Sequence, residues 1–176
     1  MSNWDKIFKP IVVLCVICII ITGALAATNS VTAPIIDAAT KAAQEAARKE
    51  LLPDADNFTR VDCTVENVSD VYVADNGVGM VITSTGKGYG GNVTVMTAVN
   101  PDGTIKQIKI TEAAETKGIG TNVTENTEYW DTYAGKSAAQ ALVLDQDVDR
   151  YTGATISSRA LNSAVNSAIE AYNTIS

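Results

Sequence analysis

The sequence predicts an α+β fold: an antiparallel sheet flanked by helices, preceded by a single N-terminal transmembrane helix. Three patterns predict it. Residues 11–27 are apolar and carry no charge. Residues 71–110 alternate apolar and polar side chains between Gly, Asn and Pro turn signals, the period of a half-buried strand. Residues 155–172 repeat their apolar positions about every 3.6 residues, the period of a helix with one buried face.

The apolar run comes first along the chain. With Ile7 and Phe8 added it reaches about 21 residues, enough to cross a hydrocarbon core of roughly 30 Å. Lys6 and Lys9 precede it and the next basic residue is Lys41. That asymmetry predicts a cytoplasmic N-terminus and an exported remainder, with Trp4 at the inner interface. A cleaved signal peptide is the rival, because Ala24-Leu25-Ala26 resembles a cleavage site. The run is long for a signal core, so residues 1–30 are read as an anchor. Cys15 and Cys18 lie in this run. Their spacing puts both on one helix face, toward a partner helix or as small apolar fillers.

Residues 31–55 read as a helical linker. Pro34 is expected to open a second helix, in which Ile35, Ile36, Ala39, Ala43, Ala46, Ala47 and Leu51 form a stripe, and Pro53 to stop it. The helix is either a solvated stalk or packed on the domain.

Residues 56–176 read as the folded domain. Four strands are expected. The first runs through Val71 and Val73 to an Asn76-Gly77 hairpin turn. Others cover Val78 to Thr85, Val93 to Thr97 and Ile105 to Ile110, with Asn100-Pro101-Asp102-Gly103 turning the chain before the last. An irregular stretch through Trp130 follows, then a short helix over 137–143. The last helix opens at Thr155, with Ile156, Ala160, Leu161, Ala164, Val165, Ala168, Ile169 and Tyr172 on its apolar stripe.

Composition excludes several functions. The net charge is −7, and no basic stripe exists to displace counterions from phosphates, so nucleic acid is not a partner. Histidine is absent, which removes Ser-His-Asp and Cys-His catalysis and the commonest metal ligand. Cys63 is alone in the exported part, so no disulfide framework forms there. No metal site and no catalytic side chain is expected, and a bound cofactor has to supply any chemistry.

Residues 151–159, Tyr-Thr-Gly-Ala-Thr-Ile-Ser-Ser-Arg, form a loop entering a helix. Gly153 allows a tight turn, and Thr155, Ser157 and Ser158 put hydroxyls at the first helical turn. A helix N-terminus carries unpaired N–H groups and about half a positive charge, which favours a phosphate there. Simple capping by Thr155 is the plainer explanation from composition.

The string Thr152-Gly153-Ala154-Thr155-Ile156-Ser157 resembles the flavinylation motif of the FMN-binding domain family. Position 152 is Thr where that family commonly has Ser, Asp or Ala. The likeness continues in order through Gly88-Tyr89-Gly90-Gly91, Glu115-Thr116-Lys117-Gly118-Ile119-Gly120, and Trp130 with Gly135-Lys136-Ser137, covering roughly residues 70–172. It implies covalent FMN, joined through its phosphate to the Thr155 hydroxyl by a dedicated flavin transferase. It also implies phosphate contacts from Ser157 and Ser158, a counter-charge or merely a solvated cation at Lys136, and backbone approach to the ring at Gly118 and Gly120, or only turn geometry there. Glu115 and Thr116 are expected against the ribityl chain or ring, and Ile119 against the ring face.

Within that family the chain most resembles the RnfG members, which belong to Rnf-type ferredoxin:NAD+ oxidoreductase complexes. The related NqrC members, from the sodium-pumping NADH:quinone reductase, are longer between anchor and motif. The resemblance implies a redox-carrier component of a bacterial inner-membrane complex, working with other integral and peripheral subunits. An exported FMN-dependent reductase acting alone is the alternative, but little chain remains for a second substrate-binding domain.

Overall fold

The computed structural model describes residues 8–175; Trp4, Lys6 and Ile7 lie outside them. The chain divides into two compact units, with the boundary between Ala43 and Gln44. That boundary falls inside the expected 31–55 linker.

The first helix, α1, runs from Lys9 to Leu51, 43 residues, with Pro34 inside it. The expected helix start at Pro34 is therefore corrected. An interior proline removes one intrahelical N–H and crowds the carbonyl four residues back, yet α1 continues through Pro34. The apolar part of α1 is long and uncharged enough to cross a membrane, and none of it is buried.

The second unit is built on a five-stranded antiparallel sheet in chain order: β1 (Phe58–Val61), β2 (Val68–Ala74), β3 (Met80–Lys87), β4 (Asn92–Val99) and β5 (Ile105–Ala113). Four of these match the expected strands. β1 is the addition: it has four residues at the sheet edge with no alternating burial, so its sequence carries no period-two signal. The Asn76-Gly77 turn is present, with Gly77 at φ 72°, but β3 starts at Met80.

Side-chain alternation gives the sheet two buried faces. On one lie Ile82, Val93, Val95, Val99, Ile105 and Ile108, packed with Ala160, Leu161, Ala164, Val165 and Ala168 of α4 (Thr155–Ile175). Ser84 donates its hydroxyl to the Ala164 carbonyl at 2.7 Å, and a Cβ on Gly86 would run into the Ala160 carbonyl. On the other face Val81, Met96 and Ala98 meet Ala47, Leu51 and Leu52. Arg48 stacks 3.9 Å from the Tyr72 ring centroid, and Lys109 pairs with Glu50. The last turns of α1 are thus packed on the domain.

Between β5 and α4 come two single-turn helices, α2 (Thr121–Thr124) and α3 (Thr127–Trp130), and a 3-10 turn (Asp131–Tyr133). The short helix expected over 137–143 does not form. That segment is irregular, with an isolated bridge at Ser137 and a bend over residues 138–140, and bonds to α4 side chains instead. Asn166 accepts from the Leu142 N–H at 2.8 Å, and Asn162 and Asn166 both donate to the Leu142 carbonyl. Asn173 donates to the Ala138 carbonyl. These tertiary bonds outweigh a weak local helix preference.

Candidate functional site

The α4 stripe buries every expected position fully except Tyr172, half-buried, and Ile156, which is 49% exposed. Ile156 is therefore removed from the core. The first turn of α4 differs from the rest of the helix. Its first backbone bond runs from the Ser158 N–H to the Ala154 carbonyl, 2.9 Å. That makes Ala154 the N-cap residue, and alanine has no side chain to cap with. No carbonyl outside the helix accepts from the N–H groups of Thr155, Ile156 or Ser157 among the described residues. The half-exposed Thr155 hydroxyl also has no hydrogen-bond partner among them. Capping by Thr155, the plainer explanation, does not occur.

Gly153 enters this turn at φ 88° with open space at its Cβ position, a conformation glycine adopts without strain. Ser158 faces inward. Its hydroxyl donates to the Ala154 carbonyl and accepts from the Tyr151 N–H, at 3.1 Å each. The expectation that Ser158 reaches a phosphate is thus corrected, because its hydroxyl is used inside the protein. Ser157 donates its hydroxyl to Glu115 Oε2 at 3.0 Å.

Glu115 joins three segments. Besides Ser157 of α4, its Oε1 accepts from the Tyr89 N–H at 2.9 Å. Cβ atoms on Gly88 or Gly120 would strike its carboxylate. Glycine at both positions lets the 88–91 hairpin and the 115–120 loop close around it. The expected backbone approach of Gly118 and Gly120 to a ring edge is corrected, because both N–H groups are already bonded; Gly118 is left with turn geometry at φ 79° and Gly120 with the close approach of Glu115. The Gly118 N–H is taken by Thr121 Oγ1 and the Gly120 N–H by the Thr116 carbonyl, each at 2.9 Å.

These elements enclose a groove of about 510 Å³, lined by Tyr89, Glu115, Thr116, Ile119, Gly120 and residues 153–157. The volume lies within the range of small-molecule sites. Of the residues singled out in the sequence, Thr155, Gly153, Ala154, Ser157, Glu115, Thr116, Ile119 and Gly120 line this one groove. Thr152 and Gly118 stand outside the lining. Lys136 is not brought to Thr155. It is held at the start of β5, where its carbonyl accepts from the Ile105 N–H and its N–H bonds the Tyr133 carbonyl. The adjoining Gly103 and Ala138 contact Tyr172 and Asn173, on the order of 25 Å along α4 from Thr155.

Tyr89 enters the sequence pattern only as part of a glycine-rich likeness, yet it lines the groove at 74% exposed. Its signal is a lone aromatic among three glycines. A larger groove of about 630 Å³ follows the polar side of α4 past Arg159, Asn166 and Glu170. Its amides already serve the 138–142 backbone, and it presents no free helix terminus.

The residues fit a phosphate bearing a flat, largely apolar ring. Free N–H groups and an unpaired hydroxyl share the groove lining with the apolar side chains of Ile119, Ile156 and Tyr89. A hydroxyl at a free helix terminus can carry a phosphoester with its charge met by N–H donors.

Residues 88–170 match the FMN-binding domain family, and residues 1–51 match the RnfG N-terminal region. The chain is 34% identical to the G component of the Na(+)-translocating ferredoxin:NAD(+) oxidoreductase complex of Acetobacterium woodii, over 99% of this chain and 95% of that one. It is 30% identical to the G component of the proton-translocating ferredoxin:NAD(+) oxidoreductase complex of Clostridium ljungdahlii, over 98% and 95%. Among solved structures it resembles Shewanella oneidensis NqrC, with a TM-score of 0.51 and 25% identity over 70% of each chain.

Proposed function

The chain belongs to the RnfG family of ion-translocating ferredoxin:NAD+ oxidoreductase complexes, which carries the FMN-binding domain, and from that premise we propose that it is their electron-transfer component, with FMN held as a phosphoester on Thr155. The observation that carries this is the Thr155 hydroxyl. It is unpaired, half-exposed and open to the groove, at a helix terminus whose first N–H groups are also free.

FMN, when bound, supplies transfer of electrons one or two at a time. The chain's own residues hold and orient it. The N–H groups of Thr155, Ile156 and Ser157 meet the phosphate charge, aided by the helix dipole. Gly153 and Ala154 bring the backbone into the groove. With FMN bound, Thr116 would hold the ribityl chain, and Ile119 and Ile156, which line the groove, would supply apolar surface for the ring. Glu115 and Ser157 bond each other and shape the wall. Covalent attachment keeps the cofactor from diffusing away outside the cytoplasm.

The protein is membrane-anchored through α1 and works with other subunits of its complex. We assign residues 1–30 to the anchor, 31–55 to the connector and 56–176 to the FMN domain. Lys6 and Lys9 favour a cytoplasmic N-terminus and an extracytoplasmic flavin. A flavin transferase is the maturation partner. Near-complete coverage of the two ferredoxin:NAD(+) oxidoreductase relatives supports an RnfG role over an NqrC role.

The test is production of the full chain with a flavin transferase. Intact mass should rise by one FMN less one water, and the denatured band should fluoresce. Thr155→Val should abolish both. Fluorescence that survives in Thr155→Val, or an unmodified Thr155 peptide, removes the attachment site.

A further inference from the structure

Large apolar side chains exposed in a folded domain have usually been left for a partner when they cluster. Among the described residues of the second unit, four are exposed: Tyr89, Ile119, Val143 and Ile156. Three of them line the groove beside Thr155. Tyr89 is the most exposed, at 74%, and its phenol has no hydrogen-bond partner among the described residues. An aromatic ring in that position gains nothing from the protein core.

The backbone beneath it is held tightly. Gly88 closes the hairpin by donating to the Gly91 carbonyl at 2.8 Å. A Cβ on Gly90 would strike the Ala114 carbonyl, and one on Gly88 the Glu115 carboxylate. The Tyr89 N–H bonds Glu115 Oε1, while Oε2 takes the Ser157 hydroxyl. One carboxylate therefore sets the separation between the Tyr89 backbone and the α4 turn that bears Thr155. The side chain stays free to turn its face while its backbone is fixed.

We infer that Tyr89 is the aromatic wall against which the flavin ring lies, and that Glu115 is the positioning residue that holds it there. This rests on FMN being attached at Thr155. An offset-stacked aromatic pair suits two flat rings facing each other across a groove. The carboxylate acts through Tyr89 and Ser157 and has no part in the electron transfer. Ser157, the last hydroxyl of the flavinylation motif, is on this reading a strut to Glu115.

The experiment uses the full chain in detergent, made with a flavin transferase, with the Thr155 peptide first shown to carry FMN in each variant. The readout is flavin fluorescence before and after unfolding. Tyrosine in contact with an excited flavin donates an electron to it and quenches emission; leucine does not. Folded wild type should be dim and brighten severalfold on unfolding. Folded Tyr89→Leu should already be bright. Tyr89→Phe should lose quenching yet keep the wild-type visible circular dichroism of the flavin, because the ring face remains. Glu115→Ala should be bright although Tyr89 is intact. Glu115→Gln should be dim again, since its amide oxygen can accept from Tyr89 and its amide nitrogen can donate to Ser157. Tyr89→Leu as dim as wild type, with FMN on Thr155, overturns the wall. Glu115→Ala as dim as wild type overturns the positioning role. FMN missing from Thr155 in the wild type overturns the attachment, and this inference with it.

Discussion

The first turn of α4 and the body of the same helix treat their polar groups in opposite ways. In the body, Asn162, Asn166 and Asn173 bond to the backbone of the 138–142 segment, and Ser84 reaches across from β3 to the Ala164 carbonyl. At the first turn, three N–H groups and the Thr155 hydroxyl have no protein partner among the described residues. Buried polar groups left unpaired are costly, so a fold satisfies them where it closes. Polar groups left open beside an apolar groove mark a place where something else supplies the partners. One helix thus serves as a structural strut along its length and, as proposed above, as a binding site at its mouth.

The largest effect should come from breaking the body. Gly86→Ala puts a methyl into the Ala160 carbonyl, on backbone that cannot yield. We expect a loss of about 3 kcal/mol or more, as for severe overpacking, read from chemical denaturation of the domain. A neutral result would mean that β3 and α4 are less tightly apposed than their geometry indicates.

Asn166→Ala should cost about 2 kcal/mol, because it leaves the Leu142 N–H without its acceptor. Amide exchange at Leu142 should accelerate in step. Protection that persists there would show that the segment holds itself.

Tyr133 sharpens the comparison through pH. It is fully buried, and burial raises its pKa from the ordinary value of 10.0, with Tyr129 adding to the effect. The folded pKa lies above the unfolded one, so its contribution is complete below pH 10 and is lost as pH rises above that. Stability should fall by about 1.4 kcal/mol per pH unit above pH ~10 from this group alone. Tyr133→Phe should flatten that slope in melts across alkaline pH, and an unchanged slope would assign it to other groups.

The smallest effect on stability is expected at the proposed attachment residue. Thr155→Val in the flavin-free chain should change stability by less than about 0.5 kcal/mol, because its hydroxyl bonds nothing. A capping threonine would cost about 1 kcal/mol on loss of its oxygen. A loss of that size would restore the capping role and erase the contrast between mouth and body.

Much of the domain is legible in the sequence because the signals are local. Four strands announce themselves by alternation and by turn residues such as Asn76-Gly77 and Asn100-Pro101-Asp102-Gly103. The last helix does so by its apolar period, and Thr155 by its place in a six-residue string. Three of the misses share a cause: they depend on residues brought together only by tertiary pairing. β1 is a strand because β2 lies beside it. Residues 137–143 are irregular and not helical because α4 asparagines bond their backbone. Lys136 reads as a counter-charge by proximity in sequence, and the β5 pairing carries it to the other end of α4.

By itself the sequence determined the anchor's apolar length, the order of four strands and the start of α4, because each follows from a few neighbouring residues and their periodicity, while the candidate hydroxyl at Thr155 came from a family resemblance. Only the tertiary structure decided which groups at that helix mouth stay unpaired, that Ser158 turns inward, that Glu115 ties Tyr89 to Ser157, and that an exposed tyrosine faces the same groove. The Glu115 tie uses hydrogen-bond partners 26 and 42 residues away in sequence, and no local pattern encodes a bond whose other half arrives only when the chain has folded.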